Sequence, residues 1–587
     1  MSGAFRVLTV LALAAMQGVG EDATAQQTAQ DAAQQPPRLI RLSDFGARGD
    51  GVADDGPAFV RAMAALREVP GPATLALGEA GTYRIATLPG APGDGPDLPR
   101  GYVFAFEGDA DKAVEGNGSH LILRFPLRLL AVSGSERITV RGFSFTYDPL
   151  PFTQGHIVKV DREAGTLDVK AEPGFPLPVF DAAEVEDNSS AWQFCWTFDP
   201  SCHVWTRTIK AIDPAQTEER VFRVFVRDDV KGALPLLLNG SRRIVVPTLG
   251  VVDGVPQRSS GTHSAIYGSR DILLADLHQH VSPHFSFVIN YNLGRIELRN
   301  VDIRPPEGSG HWLSSWRDGF HVKTNRGPII VEECDMAWLR DDCINISAIA
   351  LTIEEQIGPR TYQFRVRNRE SFPEIRVGFT VEGWNMGSGK HCGAARVVEV
   401  RGGGGKGYWN TVLVLDRELS HVLADGESTS FWVHEWINSG SIIRRNRFDG
   451  SVRFRSPGLY EDNLVTSFMI VKPEDPECPI TRDMVFRGNR LPECGIPTTF
   501  CVYRGEGPVA LPPVTPESPP DRIVERIRFE DNVLGRPIYM FDATDVTVRG
   551  NTLLPSLDGK KTLVLRNTGT VATDFPEALI ERDGERE

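Results

Sequence analysis

The sequence predicts an all-β fold: a parallel β-helix, a solenoid of short strands, carrying two inserted small β-barrel domains. Three observations lead there. Branched-apolar triplets recur along the chain, among them Ile138-Thr139-Val140, Ile272-Leu273-Leu274, Ile296-Glu297-Leu298, Ile329-Ile330-Val331, Met484-Val485-Phe486 and Val546-Thr547-Val548. The step from Ile272 to Ile296 is 24 residues, about one solenoid coil of three strands and their bends. The 57 Gly and 41 Pro among 587 residues supply the turns that many short strands need.

The N-terminus reads as an export signal over 1–25, with Arg6, the apolar run Val7 to Ala15 and a small-x-small site at Ala23-Thr24-Ala25. Nine such residues are too few to span a bilayer, and no later stretch is long enough. The expectation is a secreted or periplasmic protein without a membrane span. A Gln/Ala/Pro-rich leader follows over 26–38. The N-terminal cap and first coils occupy 39–153, where a Gly/Asp turn at Asp44 to Gly51 precedes a helical period at Ala58 to Leu66. Asp54 and Asp55 stand where a helix N-cap belongs, so this acid pair is read as structural.

Alternating hairpins at 154–252 and 351–436 break the coil period and predict the two barrels. Between them, 253–350 holds the central coils; 437–560 resumes the solenoid and 561–587 forms a C-terminal tail. Asn300, Asn446, Asn489, Asn532 and Asn551 each follow a strand, which suits a ladder of inward amides at one bend. In an oxidising compartment Cys195 and Cys202 are plausible disulfide partners, as are two of Cys478, Cys494 and Cys501.

A net charge of −14 argues against nucleic acid and anionic membranes as partners. There is no C-x-x-C pair, calcium loop, phosphate-binding glycine motif or serine-hydrolase elbow, so neither metal nor cofactor is expected. The chemistry concentrates between His311 and Asn345. Shifting Asp318-Gly319-Phe320-His321 by 24 residues superposes it on Asp342-Cys343-Ile344-Asn345. Asp318 then stacks under Asp342, with Phe320 and Ile344 turned inward.

Neighbouring side chains in a strand point to opposite faces, so Asp341 and Asp342 share a site only at a bend. Three carboxyls one coil apart repel, which raises at least one pKa and creates a general acid. An acid beside an ionised carboxylate is the equipment for breaking a glycosidic bond. The loop Pro305 to Trp316 exceeds the coil period and carries His311, Trp312 and Trp316; indole faces suit stacking on sugar. Arg317, His321, Lys323, Asn345, Asn290 and His263 complete the expected substrate-binding set, with Tyr267, His278, His280 and His284 placed in the same groove.

Asp44-Phe45-Gly46-Ala47 with Gly49-Asp50-Gly51 and Asp54-Asp55 resembles the N-terminal signature of pectin-lyase-like right-handed β-helix proteins. The two Asp-bearing strands resemble those of glycoside hydrolase family 28, the polygalacturonases, and of family 110, the inverting exo-α-galactosidases. Pro151 to Gly155, the two barrels and Asn446 to Gly458 are closer to family 110. Family 28 also carries Gly-His-Gly and Arg-Ile-Lys segments, and neither follows Asp342. The resemblance implies a right-handed coil and an inverting hydrolase, with Asp318 as proton donor and Asp341-Asp342 activating water. Family 28 assigns the acid to the first Asp of the pair, which leaves the opposite polarity open.

The expected substrate is an oligosaccharide or polysaccharide, and the resemblance to family 110 implies a terminal α-galactose. A homodimer through the barrels is a further expectation. A uronan lyase or epimerase and a non-catalytic carbohydrate-binding β-helix are the alternative readings on this fold. For separation, inversion calls for carboxyls about 6.5–9.5 Å apart and retention for about 5–5.5 Å; the diagonal from Asp318 to Asp341 is expected to give the longer one.

Overall fold

The computed structural model describes residues 36–582, outside 89–100, 179–193, 198–202, 212–219, 227–242, 249, 253–254, 258–261, 367–373, 386–389, 403–410, 423–428, 468, 472–476, 478–480, 493–495, 499–501, 504–507, 510–520 and 523. The export signal, most of the leader, the side chain of Cys195, and Cys202, Cys478, Cys494 and Cys501 lie outside the described residues. The three described cysteines with placed side chains, Cys334, Cys343 and Cys392, are buried free thiols.

Parallel strands stack into a solenoid. One sheet of 21 strands and another of eight run along it, and a four-stranded sheet continues the second side toward the C-terminus. The recurring triplets fall in register: Ile138 pairs with Ile272, Ile272 with Ile296 and Ile296 with Ile329. These four isoleucines have essentially no exposed surface. Each buries its side chain against the next coil for about 2 kcal/mol, so a one-residue slip would turn the whole row to water. Farther along, Tyr460, Phe486 and Phe529 form a ring stack with centroids 5.0 and 4.9 Å apart.

The helix Gly56–Glu68 closes the N-terminal end, burying Ala58, Phe59, Ala62, Met63 and Leu66 at its helical spacing. Phe59 meets the rings of Tyr83 and Phe104 edge-on. Asp55 occupies the N-cap position without capping the helix through its side chain. Its carboxylate instead accepts from the backbone N–H groups of Arg48 and Gly49, while Asp54 accepts from Gly56 and Ala86. The pair is structural as expected, but it fastens the Gly/Asp turn and the next strand.

Two closed six-stranded antiparallel barrels interrupt the coils in sequence without disturbing their register. The first runs from Phe152–Asp161 to Arg243–Pro247. It lies between strands Glu136–Tyr147 and Arg270–Gln279, which pair directly. The second runs from Leu351–Gly358 to Thr429–Val433, yet Ile330 still pairs with Ile442. Residue 560 is no structural boundary, because Leu563–Arg566 pairs with Ile538–Phe541 and Val571–Thr573 pairs with Ala543–Arg549.

The asparagine ladder is present with altered membership. Amides of Asn446, Asn463, Asn489, Asn532 and Asn551 pass hydrogen bonds along one bend. Asn463 was not singled out from the sequence. Asn300 is not a rung: it sits at φ 52° and bonds Asp276 on the exposed face. A second ladder, Asn292, Asn325 and Asn438, fixes the bend behind the acid cluster.

Candidate active site

The acid cluster sits where the eight-stranded sheet begins. Phe320 pairs with Ile344 and Ile344 with Val452, so three successive coils meet there, and the 24-residue shift is a true one-coil step. Phe320 and Ile344 are fully buried, which turns His321, Asn345 and Arg453 outward in one row. Lys323 and Ser347 form the next outward row. Gly319 allows the close approach of the coils, since a Cβ there would stand 2.6 Å from the Cys343 carbonyl oxygen.

Asp318, Asp341 and Asp342 converge, each offering an oxygen within 4.8 Å of the others. Oxygens this close do not by themselves argue for inversion. Asp318 and Asp342 are buried and Asp341 is half-buried. Burial first, and then the charge of Asp341, pushes Asp318 well above the ordinary carboxyl value. Burial also pushes Asp342 up, to about 8, against the pull of Arg453.

The two buried acids differ in their contacts. Asp342 has Arg453 at 2.5 Å and accepts a 2.8 Å bond from Ser451. Asp318 meets His321 Nδ1 at 2.7 Å. Once Asp318 is neutral its repulsion of Asp342 vanishes, and the arginine contact leaves the shared charge on Asp342. Of the two buried acids, Asp318 is the one whose surroundings favour the neutral form more. Asp341 faces Arg317 at 3.3 Å.

A fourth carboxylate completes the site and was missed from the sequence. Glu477 takes Lys323 at 3.1 Å, Asn345 at 3.1 Å and Arg455 at 3.4 Å. Despite the opposing effect of burial, Lys323 and Arg455 hold it well below the usual carboxylate range. Ser451, Arg453 and Arg455 were missed as well. Their alternation in Ser451-Val452-Arg453-Phe454-Arg455 was readable, but 108 residues separate Asn345 from Arg453, its neighbour one coil on.

Of the expected binding residues, Arg317 and His321 contact the acids directly, and Lys323 and Asn345 join through Glu477. Asn290 accepts the Lys323 backbone N–H at 3.1 Å. Trp316 is only 2% exposed and belongs to the solenoid core, so it offers no stacking face. His263 is equally buried, bonded to Tyr147 at 2.8 Å and stacked on Phe145. Burial drives its pKa down to about 3 and keeps it neutral. His284 is likewise pushed down to about 3 by burial, with Arg317 adding to the effect.

His311 and Trp312 belong to a neighbouring groove against the first barrel. His311 sits between the rings of Phe152 and Phe175. The Trp312 backbone donates to Gln154, and Arg243 lies over its ring. His278 and His280 line that groove. Tyr267 is in the row of Asn290 and Lys323 and stacks on Tyr291.

No protein-family profile matches the sequence. The chain is similar to alpha-1,3-galactosidase B of Bacteroides thetaiotaomicron, with 23% identity over 337 residues that cover 55% of this chain and 52% of that protein. It is also similar to alpha-1,3-galactosidase A of Shewanella woodyi, with 21% identity over 343 residues, 56% of this chain and 54% of that protein. Among solved structures, an exopolygalacturonase from Thermotoga maritima aligns over 94% of both chains at 12% identity and a TM-score of 0.33, a likeness too weak to carry an argument. The chain spans about half the length of the curated relatives it matches, and their named activity agrees with the α-galactosidase resemblance of its Asp-bearing strands.

Proposed function

We propose that this chain is a glycoside hydrolase that releases terminal α-1,3-linked galactose from a neutral glycan. The observation that carries the reading is the convergence of Asp318, Asp341 and Asp342 at one corner, with arginines beside Asp341 and Asp342 and burial favouring the neutral form of Asp318. Asp318 protonates the glycosidic oxygen as the bond to the anomeric carbon breaks. Asp341, supported by Asp342, takes a proton from the water that attacks that carbon.

The charge pairing supports a neutral sugar. Arg317 faces Asp341, Arg453 faces Asp342, and Lys323 and Arg455 share Glu477. Among the described residues of the cluster, each of these cations is matched to an acid, and a uronate would have to compete for one of them. Inversion rests on the resemblance to family 110. Retention, with an Asp of the pair as nucleophile, is the second reading and is favoured by the short oxygen separation. The finer architecture belongs to the same proposal: a right-handed coil with both barrels as inserted units. Export rests on the pattern at 1–25, and association of two copies would use the barrels.

The test is hydrolysis of α-1,3-galactobiose by the full chain, followed by proton NMR. Release of β-galactose first means inversion; release of α-galactose first means retention. No hydrolysis of this or any other α-galactoside would overturn the reading.

A further inference from the structure

A cavity of about 780 Å³, lined in part by Trp338 three residues before Asp341, shares none of the cluster's carboxylates. Its volume is well within the size range of sugar and ligand pockets. Its walls come from three parts of the molecule: His278 and Asp302 on the outer face of the long sheet, Arg243 of the first barrel, and Trp312 and Trp338 from corner loops. We propose that this cavity is a leaving-group subsite that holds a neutral pyranose on the far side of the scissile bond, with Trp338 as its stacking platform. The assignment rests on the hydrolase reading above.

Position is the first argument. Trp338 precedes Asp341 by three residues, so their Cα atoms are at most about 11 Å apart. A disaccharide leaving group extending from a bond cleaved at Asp318 and Asp341 can reach that distance.

Construction is the second. The loop carrying Trp312 is fixed on both sides. Gln154 donates to the Gly310 carbonyl at 3.0 Å and accepts from the Trp312 backbone N–H at 3.0 Å. Arg340, between Trp338 and Asp341 in sequence, donates to the Trp312 carbonyl at 2.7 Å. Ser314 donates its backbone N–H to the Trp338 carbonyl at 3.0 Å. The segment that supplies two of the acids therefore also frames the cavity.

Chemistry is the third. Trp338 leaves 43% of its surface open although its backbone is held, and an open indole beside polar groups is the arrangement that binds the C–H face of a sugar. His278 contacts Asp302 at 3.0 Å, giving a fixed pair for hydroxyl groups. Two charges of the lining are matched, Arg304 with Asp335 and His278 with Asp302, while Arg243 and Glu307 add one charge of each sign, a balance that suits an uncharged ligand.

Calorimetry on the full-length Asp318→Asn protein tests this with three probes: α-1,3-galactobiose, the trisaccharide α-galactosyl-1,3-lactose, and lactose alone. The trisaccharide should bind at least about fivefold tighter than the disaccharide. Adding Trp338→Ala should erase that advantage and the binding of lactose, and Trp338→Phe should restore most of both. An unchanged trisaccharide-to-disaccharide ratio in Trp338→Ala overturns the subsite while leaving the hydrolase reading intact. If the wild type hydrolyses no α-galactoside but lactose binding still depends on Trp338, the hydrolase reading fails and the sugar site stands.

Discussion

Replacing Asp318 by Asn removes the site's proton while preserving its shape, and two independent consequences follow. Asp318 is 3% exposed and is contacted by the His321 ring, whereas Asp342 has the guanidinium of Arg453. Asp318 therefore holds a proton in the folded chain at pH values where it would lose it in the unfolded chain. Where the folded state binds more protons, stability falls as pH rises, from the unfolded value near 3.9 up to the folded value. Asp318→Asn removes the cost of holding that proton on the buried carboxyl. The variant should melt higher than wild type, and the gap should be wider at about pH 8 than at about pH 5.

Its kinetics should move the other way. Hydrolysis of galactobiose should drop by about 10²- to 10⁴-fold, the usual loss of a general acid. Hydrolysis of a nitrophenyl α-galactoside, whose leaving group needs little protonation, should drop by no more than about tenfold. Scanning fluorimetry at the two pH values and rates on the two substrates give the four numbers required. Equal rate losses on both substrates would remove Asp318 from the role of acid. A melting gap independent of pH would refute the placement of the buried proton.

Three further substitutions probe the frame. Glu477→Gln leaves Lys323 and Arg455, 2% and 0% exposed, without their carboxylate, and should cost about 3–5 kcal/mol in urea unfolding along with a raised KM. Asn463→Ala strands the Asn446 backbone N–H and the Ile443 carbonyl, and at about 1–3 kcal/mol for each buried group the urea midpoint should fall with little change in slope. Gly155→Ala puts a Cβ 2.3 Å from the Lys170 carbonyl oxygen, so the first barrel should lose at least about 1–3 kcal/mol and become the first site of limited proteolysis.

What was legible in the sequence follows from periodicity. The spacing of Ile272 and Ile296 and of Phe320 and Ile344 is set by coil length, and both pairs stack in register. Phe320 and Ile344 face inward because alternation fixes the face of each strand residue. Periodicity ceases to help where the second barrel interposes its own residues. Arg453, Arg455 and Glu477 return to the site from beyond that gap, and no local pattern marks Glu477 as their partner. The two tryptophans show a different limit. Trp312 and Trp316 are four residues apart in one loop, yet one lines a groove and the other fills the core, because an irregular loop has no repeat from which to assign a face. Asp55 shows a third: its position at a helix start was readable, but its hydrogen-bond donors were set by a turn that approaches from the opposite side.

The same reasoning explains why the acids occupy a corner. Along a strand, Asp341 and Asp342 would point to opposite faces; at the bend both offer oxygens to the same point as Asp318. The outward rows that follow, His321 with Asn345 and Arg453, and Lys323 with Ser347, lie on regular strands whose spacing is fixed by backbone pairing. Chemistry and recognition thus rest on different kinds of backbone. A substitution in an outward row alters contacts without moving the coil, because the inward residues Phe320, Ile344 and Val452 hold it. A change in the bend alters the distances among three carboxyls and with them the proton that the mechanism requires. Specificity in such a site can be varied along the rows while the acid cluster stays in place.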